Sequence, residues 1–469
     1  MWYKIRTGIE LLLGVRNKDG SYKAKFSKNW ELKKLIGNYI TFFMIFCTTL
    51  YFIKPSLNIK DHRLWVFAII TCICLVICTS EEYYSSDKSK SEDIYNKLVI
   101  TLTALLLSYV LFIAISSPFI SYGKHARILE SEVKYKSVSE FPITLEDINI
   151  IGTQEAEVLA RQAVVENKDL AYKYKVRSIS HIIVKGKPYA VAELGKRGVL
   201  ERLKVLEAIP GYILVDKELG TASYIDVEEG LRYSNDAAFL NNLRRYIKTH
   251  DLASIISRPV LELDENMEPV WVLPVIKNKV GYFGGKDIVF AYTVDPITGE
   301  ISKVSKDNGW IDNMYTNKIL EDQLSWHSSY VNGDGRLELI LGDQDMLKVV
   351  SNDIVYNGSN WFFMKEGSIN GDTTGVYFVN KLTKEVIFYK TILDDNPTGI
   401  VRSDNGVDTD STDNQVFPIN VDGRLLYIFR GIERNKTLSY VILDASDYNN
   451  MVSGDNIADI KSKLDVLIN

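Results

Sequence analysis

Three stretches of the chain contain no charged residue: Leu35 to Ile53, Leu64 to Thr79 and Leu98 to Ile120. A helix needs about 20 apolar residues to cross a hydrocarbon core, so the first and third runs are long enough and the second, at 16 residues, is marginal. Trp65 at its start favours the headgroup level, so it too reads as a span and not as a re-entrant segment. The first run begins 34 residues into the chain and is too long for a signal peptide. The sequence therefore predicts three N-terminal transmembrane helices (35–53, 64–79, 98–120) within a membrane anchor at 35–120, preceded by a basic segment at 1–34.

Orientation follows from basic residues, which resist translocation. Residues 1–34 carry nine Lys/Arg against Glu10, Asp19 and Glu31. That end is expected in the cytoplasm of a multi-pass protein of the plasma (inner) membrane, with everything after Ile120 extracytoplasmic. Lys54, Lys60 and Arg63 in the first outer loop fit this poorly, and two spans with a cytoplasmic C-terminal part remain the alternative. In the first 13 residues, Trp2, Ile5, Ile9, Leu12 and Leu13 share a helical face, suiting an interfacial helix or one docked on the spans. The apolar runs hold Asn38 as their main polar side chain and no ionisable pair of the kind that marks a transport path. They read as an anchor, with Cys72, Cys74 and Cys78 as small packing residues.

Charge divides at the same place. The net charge of −5 is the sum of +6 over residues 1–120 and −11 over residues 121–469. An acidic outer part argues against nucleic acid, whose phosphates need clustered basic charge. All four cysteines lie in the apolar runs, so the outer part has neither a disulfide framework nor CxxC metal sites. This usage suits an exported bacterial protein.

The outer part repeats a phrase. YILVDKELGTASYI (212–225) and YTVDPITGEISKV (292–304) share a β-rich run ending in Val-Asp, three residues, a glycine and a second β-rich run. FVNKLTKEVIFY (378–389) is a third copy with Asn380 for Asp, and SYVILDASDY (439–448) a degraded fourth. An Asp at a strand end bonds the backbone two residues on, and Gly supplies the φ > 0 position that returns the chain. A helix candidate precedes each of the first three copies. Thr153 would cap one with Ala156, Leu159, Ala160, Ala163 and Val164 inward, and Ser234 another with Phe239, Leu240, Leu243, Tyr246 and Ile247 inward; Met314 to Trp326 is the third. Strands are expected at 178–184, 187–194, 271–276, 361–366 and 424–431. The expected fold class is α+β: tandem small helix-on-antiparallel-sheet units at 121–230 and 231–310, then a β-rich region at 311–469 of one or two degraded repeats.

Val294, Asp295, Thr298, Gly299 and Glu300, with a helix expected at 236–250, resemble the ending of PepSY-type domains, the cystatin-like units of bacterial envelope proteins. The resemblance covers 235–306 and, loosely, 153–228. It implies a binding, inhibitory or protein-regulatory module outside the membrane and brings no catalytic residues.

Chemistry is sparse. HExxH, GxSxG and GxxxxGK[ST] are absent. His181 lies in a β-rich run, and His250-Asp251 ends a helix candidate. Gly281-Tyr-Phe-Gly284-Gly285-Lys286 has the amide density of an anion cradle but lacks the strand-to-helix context, so a bulge or wide hairpin is the better reading. Asn332-Gly-Asp334, Asp394-Asp395-Asn396 and the aspartates at 404, 408, 410 and 413 offer oxygen ligands without an EF-hand register, and read as solvated turn tips. No catalytic, cofactor-binding or metal residue is assigned and no cofactor is expected. The expected partners are the lipid bilayer and another envelope protein or peptide. The expected function is that of a non-catalytic, membrane-anchored extracytoplasmic binding or scaffold protein. A receptor signalling through the spans is the rival, and a hydrolase with an unrecognised acidic site the third reading.

Overall fold

The computed structural model describes residues 24–83, 88–130, 132–145, 153–198, 207–306, 309–332, 351–356, 358–367, 373–393, 416–432, 438–444, 451–454 and 457–468. The chain divides into two compact units, residues 1–55 with 63–109, and residues 56–62 with 110–469.

The first unit holds α1 (Ala24–Ile53), α2 (His62–Tyr83) and most of α3 (Lys88–Ser116). Two helices among the described residues are long and apolar enough to cross a membrane, His62–Thr79 and Asp93–Ser116, where the sequence predicts three. Gly37–Ile53 of α1 is a shorter apolar helix among the described residues, and the charge-free run in this helix begins at Leu35. The 64–79 run, marginal by count, passes because its helix begins at His62. Ile100, Leu107 and Val110 of α3 are exposed, the arrangement suited to a lipid solvent. The Sγ atoms of Cys72 and Cys78 lie 3.7 Å from the Leu98 carbonyl and 3.8 Å from the Asn38 carbonyl, packing these helices together.

The second unit is mixed α+β and contains four antiparallel meanders. In the first module, α5 (Thr153–Glu166) and α6 (Lys168–Lys173) precede β2 (Tyr174–Val184), β3 (Lys187–Lys196), β4 (Ile209–Asp216) and β5 (Thr221–Leu231), in the order β2-β3-β4-β5; α4 (Tyr122–Glu130) and β1 (Val133–Ser137) come earlier in the chain. Ala156, Ala160, Ala163 and Val164 bury against Ile182, Val191, Leu194, Ile213 and Val215, as their helical spacing requires, while Leu159 is half-buried.

The second module consists of α7 (Leu243–Ile247), β6 (Ile255–Ile256), β7 (Val260–Leu263), β8 (Pro269–Val280), β9 (Gly284–Val294) and β10 (Ile301–Val304), in the order β10-β9-β8-β6, with β7 also on β8. The expected helix over 236–250 is replaced by a 3₁₀ turn at Phe239–Asn241 and the five-residue α7, and Phe239 and Leu240 are 57% and 59% exposed. Side chains divert the backbone. Ser234 Oγ accepts from Ala237 N–H, Asn242 Nδ2 donates to the Asn235 carbonyl, and Phe239 sits at φ 48°. Ser and Asn compete with helical hydrogen bonding in this way.

In the third module α8 (Asn317–His327) precedes β11 (Ser351–Tyr356), β12 (Ser359–Gly367), β13 (Thr373–Asn380) and β14 (Val386–Leu393). β1 joins this sheet in parallel on β14, giving the order β1-β14-β13-β12-β11. Trp361, Phe362 and Phe363 are core residues. The fourth module is β15 (Val416–Val421), β16 (Arg424–Ile432), β17 (Leu438–Asp444), β18 (Met451–Gly454) and α9 (Ile457–Ile468), its helix after the sheet. Phe141, Ile143 and Leu145 fill the core it shares with the third module.

The sequence phrase has one structural meaning. Val-Asp or Val-Asn stands at the end of the next-to-last strand of each of the first three modules (β4, β9 and β13), and the turn leads into the last strand. Asp444 likewise ends the third strand of the fourth module, though residues 445–450 lie outside the described set, as do the expected helix at 1–13 and Asp334 to Asp413 of the acidic loops.

Candidate functional site

The site begins with the repeated turn. Asp216 Oδ1 accepts from the N–H groups of Glu218 and Leu219 (both 2.9 Å), Asp295 Oδ1 from Ile297 and Thr298 (2.7 and 3.1 Å), and Asn380 Oδ1 from Leu382 and Thr383 (both 2.9 Å). The three-residue loop is closed by the residues on either side of it, Gly220 N–H, Gly299 N–H or Lys384 N–H donating to the carbonyl of the Asp or Asn. The residue after the Asp or Asn is Lys217 in the first module and Lys381 in the third, and both are buried. Two equivalent hairpins thus deliver two lysines to one interior.

That interior is a hub of charge among the first three modules. Lys381 Nζ pairs with Asp353 Oδ2 at 2.9 Å, both buried. Burial pulls the Lys217 ammonium down to about 8; Asp353 opposes the shift and Lys381 adds to it. Glu262 on β7 is fully buried and accepts from the backbone N–H groups of Asp312 and Asn313, each at 2.9 Å. Burial and then the Glu262 charge push the Asp312 carboxyl well above the usual range. His181 is held well below its ordinary value by burial and by the charges of Lys217 and Lys381, so its ring is neutral at pH 7. A second buried pair lies nearby in sequence: Lys384 meets Asp287 at 3.1 Å and Glu132 at 3.3 Å.

Beside the hub opens a cleft of about 560 Å³, bordered by Ser178 to His181 of β2, Ser257 to Leu261 leading into β7, the start of α8, and Asp353 of β11. β2 and β11 are edge strands of their sheets, and β7 pairs with β8 only. Where β2 and β7 approach, Ser180 Oγ donates to the Leu261 carbonyl. Glu193 is buried in the cleft wall, its Oε2 accepting from Ser178 Oγ (2.7 Å) and Asn235 Nδ2 (3.2 Å). Burial raises its carboxyl above the ordinary value against those hydrogen bonds and the Arg177 charge. The arrangement offers hydrogen-bond donors, acceptors and charge to a guest, held on rigid strands.

The residues singled out in sequence fall in several places. His181 is in the hub, where its carbonyl accepts from Asn313 Nδ2 (2.8 Å) and Asn360 Nδ2 (3.2 Å). His250 packs edge-on to Tyr246, away from the cleft lining, and Asp251 caps Ala253 and Ser254. The glycine-rich segment 281–286 is the β8–β9 hairpin, and its amides do hold an oxygen: Tyr282 and Phe283 N–H donate to Ser116 Oγ at 2.8 and 3.0 Å. A Cβ at Gly284 would lie 2.2 Å from the Ser116 carbonyl, so the approach needs glycine. Lys217, Lys381, Asp353, Glu262 and Asp312 were not singled out in sequence. The repeat register flags the two lysines, because each follows the turn Asp or Asn. Among the described residues no group of three or more His, Cys, Asp or Glu is placed to hold a metal. No protein-family model matches the chain, and no curated protein does.

Proposed function

We propose that this chain is a non-catalytic, membrane-anchored extracytoplasmic binding or scaffold protein that acts on another bacterial envelope component, a protein or peptide. The observation that carries the reading is the cleft among three sheets, bordered by open strand edges. Edge strands present unpaired backbone groups that natural partners use. Antiparallel meanders with the same turn in the first three modules are in keeping with the PepSY-type, cystatin-like resemblance, which brings no catalytic residues. α1, α2 and α3 as three crossings, with the basic N-terminus cytoplasmic, make the anchor. The Ser56–His62 loop is bonded to the modules: Leu57 N–H donates to the Leu252 carbonyl at 2.7 Å, Ser56 Oγ to that of Ser254 at 2.9 Å, and Asn58 Nδ2 to that of Ala253 at 3.0 Å. Crossings by both α2 and α3 put this loop and the modules on one side, whether or not α1 also crosses.

The test is photo-crosslinking in intact cells with a benzophenone residue replacing Arg258 or Lys318 at the cleft, or Tyr172, which is 85% exposed and outside it. The expected result is a discrete adduct from the cleft positions alone. Equal labelling from all three positions overturns the reading.

One observation favours the receptor as a second reading. Asn278 Nδ2 donates at 2.8 Å both to the Lys60 carbonyl, in the loop after α1, and to the Tyr282 carbonyl, whose N–H holds Ser116 at the end of α3. If this relay carries a signal, Asn278→Ala abolishes the response while cleft crosslinking persists; an unchanged response removes the second reading.

A further inference from the structure

The outer edge of β2 is sealed along part of its length by side chains from the other modules. Asn313 and Asn360 donate to the His181 carbonyl, and Asp312 Oδ2 accepts from Ile183 N–H at 2.6 Å. Asn and Asp thus stand in for the missing neighbouring strand. Backbone groups of an antiparallel strand face alternate sides with a period of two. The β2–β3 register runs without interruption from Ser178 to Val184, so Ile179 shares the outward orientation of His181 and Ile183. Its outward N–H and C=O have no partner among the described residues, and Ile179 lines the cleft. The seal stops where the cleft starts. On the far side of Ile179 a bulge between Val176 and Ser178 ends the regular register, so the open edge is one residue pair long.

The charges of the cleft decide which peptide fits. Lys318 is paired with Asp322 at 2.7 Å and Lys381 with Asp353, while Glu193 is held by Ser178 and Asn235. Arg258 and Lys286 are exposed in the cleft with no ion pair among the described residues, and with Glu193 counted the lining holds four Lys/Arg against three Asp/Glu, an excess of one positive charge. We infer that the cleft captures an extended acidic peptide segment as an added β-strand, its backbone bonded to Ile179 and its carboxylates facing Arg258 and Lys286. The inference rests on the binding reading above and supplies the mode and the chemical class of the partner. A cleft of this volume holds a few residues, so the added strand is short and affinity depends on its charges as well as its backbone.

The experiment uses the full chain in nanodiscs of neutral lipid. Probes are a capped, fluorescent hexapeptide alternating threonine and glutamate, its lysine counterpart, and the glutamate peptide N-methylated at every second amide, in both registers. The expected result is saturable binding of the glutamate peptide, at least tenfold weaker binding of the lysine peptide and of one N-methylated register, and slowed hydrogen exchange at the Ile179 amide. Ile179→Pro removes the outward N–H at an edge-strand position of the kind that accepts proline, while fixing φ and trimming a side chain packed on the core, and is expected to weaken binding at least tenfold with the cooperative melting transition retained at a lower temperature. Arg258→Glu with Lys286→Glu is expected to reverse the preference toward lysine. Binding indifferent to N-methylation in both registers, or equal binding of the lysine peptide, overturns strand addition. So does no glutamate-peptide binding at millimolar concentration. If cleft crosslinking persists in that case, the binding reading stands and the strand mode fails; if crosslinking is lost as well, both fail.

Discussion

The turns at Asp295–Gly299 and Asn380–Lys384 follow nearly the same path, yet they place different things at the fifth position. Gly299 stands at φ 81° and a Cβ there would lie 2.6 Å from the Tyr233 ring. Lys384 adopts φ 64°, a conformation that costs an L residue roughly 1–2 kcal/mol, and its ammonium is buried against Asp287 and Glu132. Burial alone would raise the Asp287 carboxyl, but Lys384 and then Lys306 outweigh it and hold it below the usual range. The second-module turn is closed by the residue of least strain, and the third-module turn accepts strain to place a charge between modules. A repeat can therefore preserve its backbone while one position changes from hinge to tether.

The largest expected effect breaks the tether. Lys384→Met leaves the buried Asp287 with only the half-exposed Lys279 at 3.6 Å and the Lys306 charge, and is expected to cost about 3 kcal/mol, read by urea unfolding of the detergent-solubilised chain. Lys384→Gly relieves the backbone and should lose about 1 kcal/mol less. A glycine variant as stable as the parent would mean the ion pairs contribute only about the 1 kcal/mol of backbone strain they offset.

The next effect concerns Lys217, which occupies the same repeat position as Lys381 and shares its surroundings with Asp353 and that lysine. Unfolded, it holds its proton to its ordinary 10.5; folded, it releases it near 8. Between those values the unfolded chain binds more protons, so stability rises with pH. The rise is up to roughly 3 kcal/mol at 1.4 kcal/mol per pH unit. Lys217→Met should flatten that part of the stability profile, and an unchanged difference curve would place the charge elsewhere.

Gly299→Ala combines positive φ with the Tyr233 clash and should cost about 1–3 kcal/mol, measured by melting temperature. The smallest pair sharpens the shared part of the two turns. Asp295→Ala removes the acceptor for two amides and should cost about 1 kcal/mol. Asp295→Asn, which copies Asn380, should stay within about 0.5 kcal/mol of the parent.

Legibility in the sequence followed the range of the interactions. Val215-Asp216, Val294-Asp295 and Val379-Asn380 were readable because an Asx turn is made by residues two and three apart. The inward face of α5 was readable from its spacing, and α8 starts at Asn317, three residues after the expected Met314. The helix expected at 236–250 failed for an equally local reason, since Ser234, Asn235 and Asn242 bond backbone that apolar spacing alone would assign to a helix. The second apolar run was undervalued because charge-free length was counted where helical length matters. The candidate cleft was not legible. Glu193, Arg258, Lys286 and Asp353 are scattered over 161 positions of chain, and no periodicity links them.

From the sequence alone come the apolar runs that make membrane crossing available, the +6 and −11 division of charge, and the three turn positions at Asp216, Asp295 and Asn380, all properties of neighbouring residues or of sums over them. Only the tertiary structure decided that β1 pairs in parallel with β14, that two repeat lysines meet one aspartate, and that the sealed edge of β2 stops at Ile179. Each of these depends on which distant strands lie side by side, and that is settled by packing whole faces together, a choice no local pattern carries.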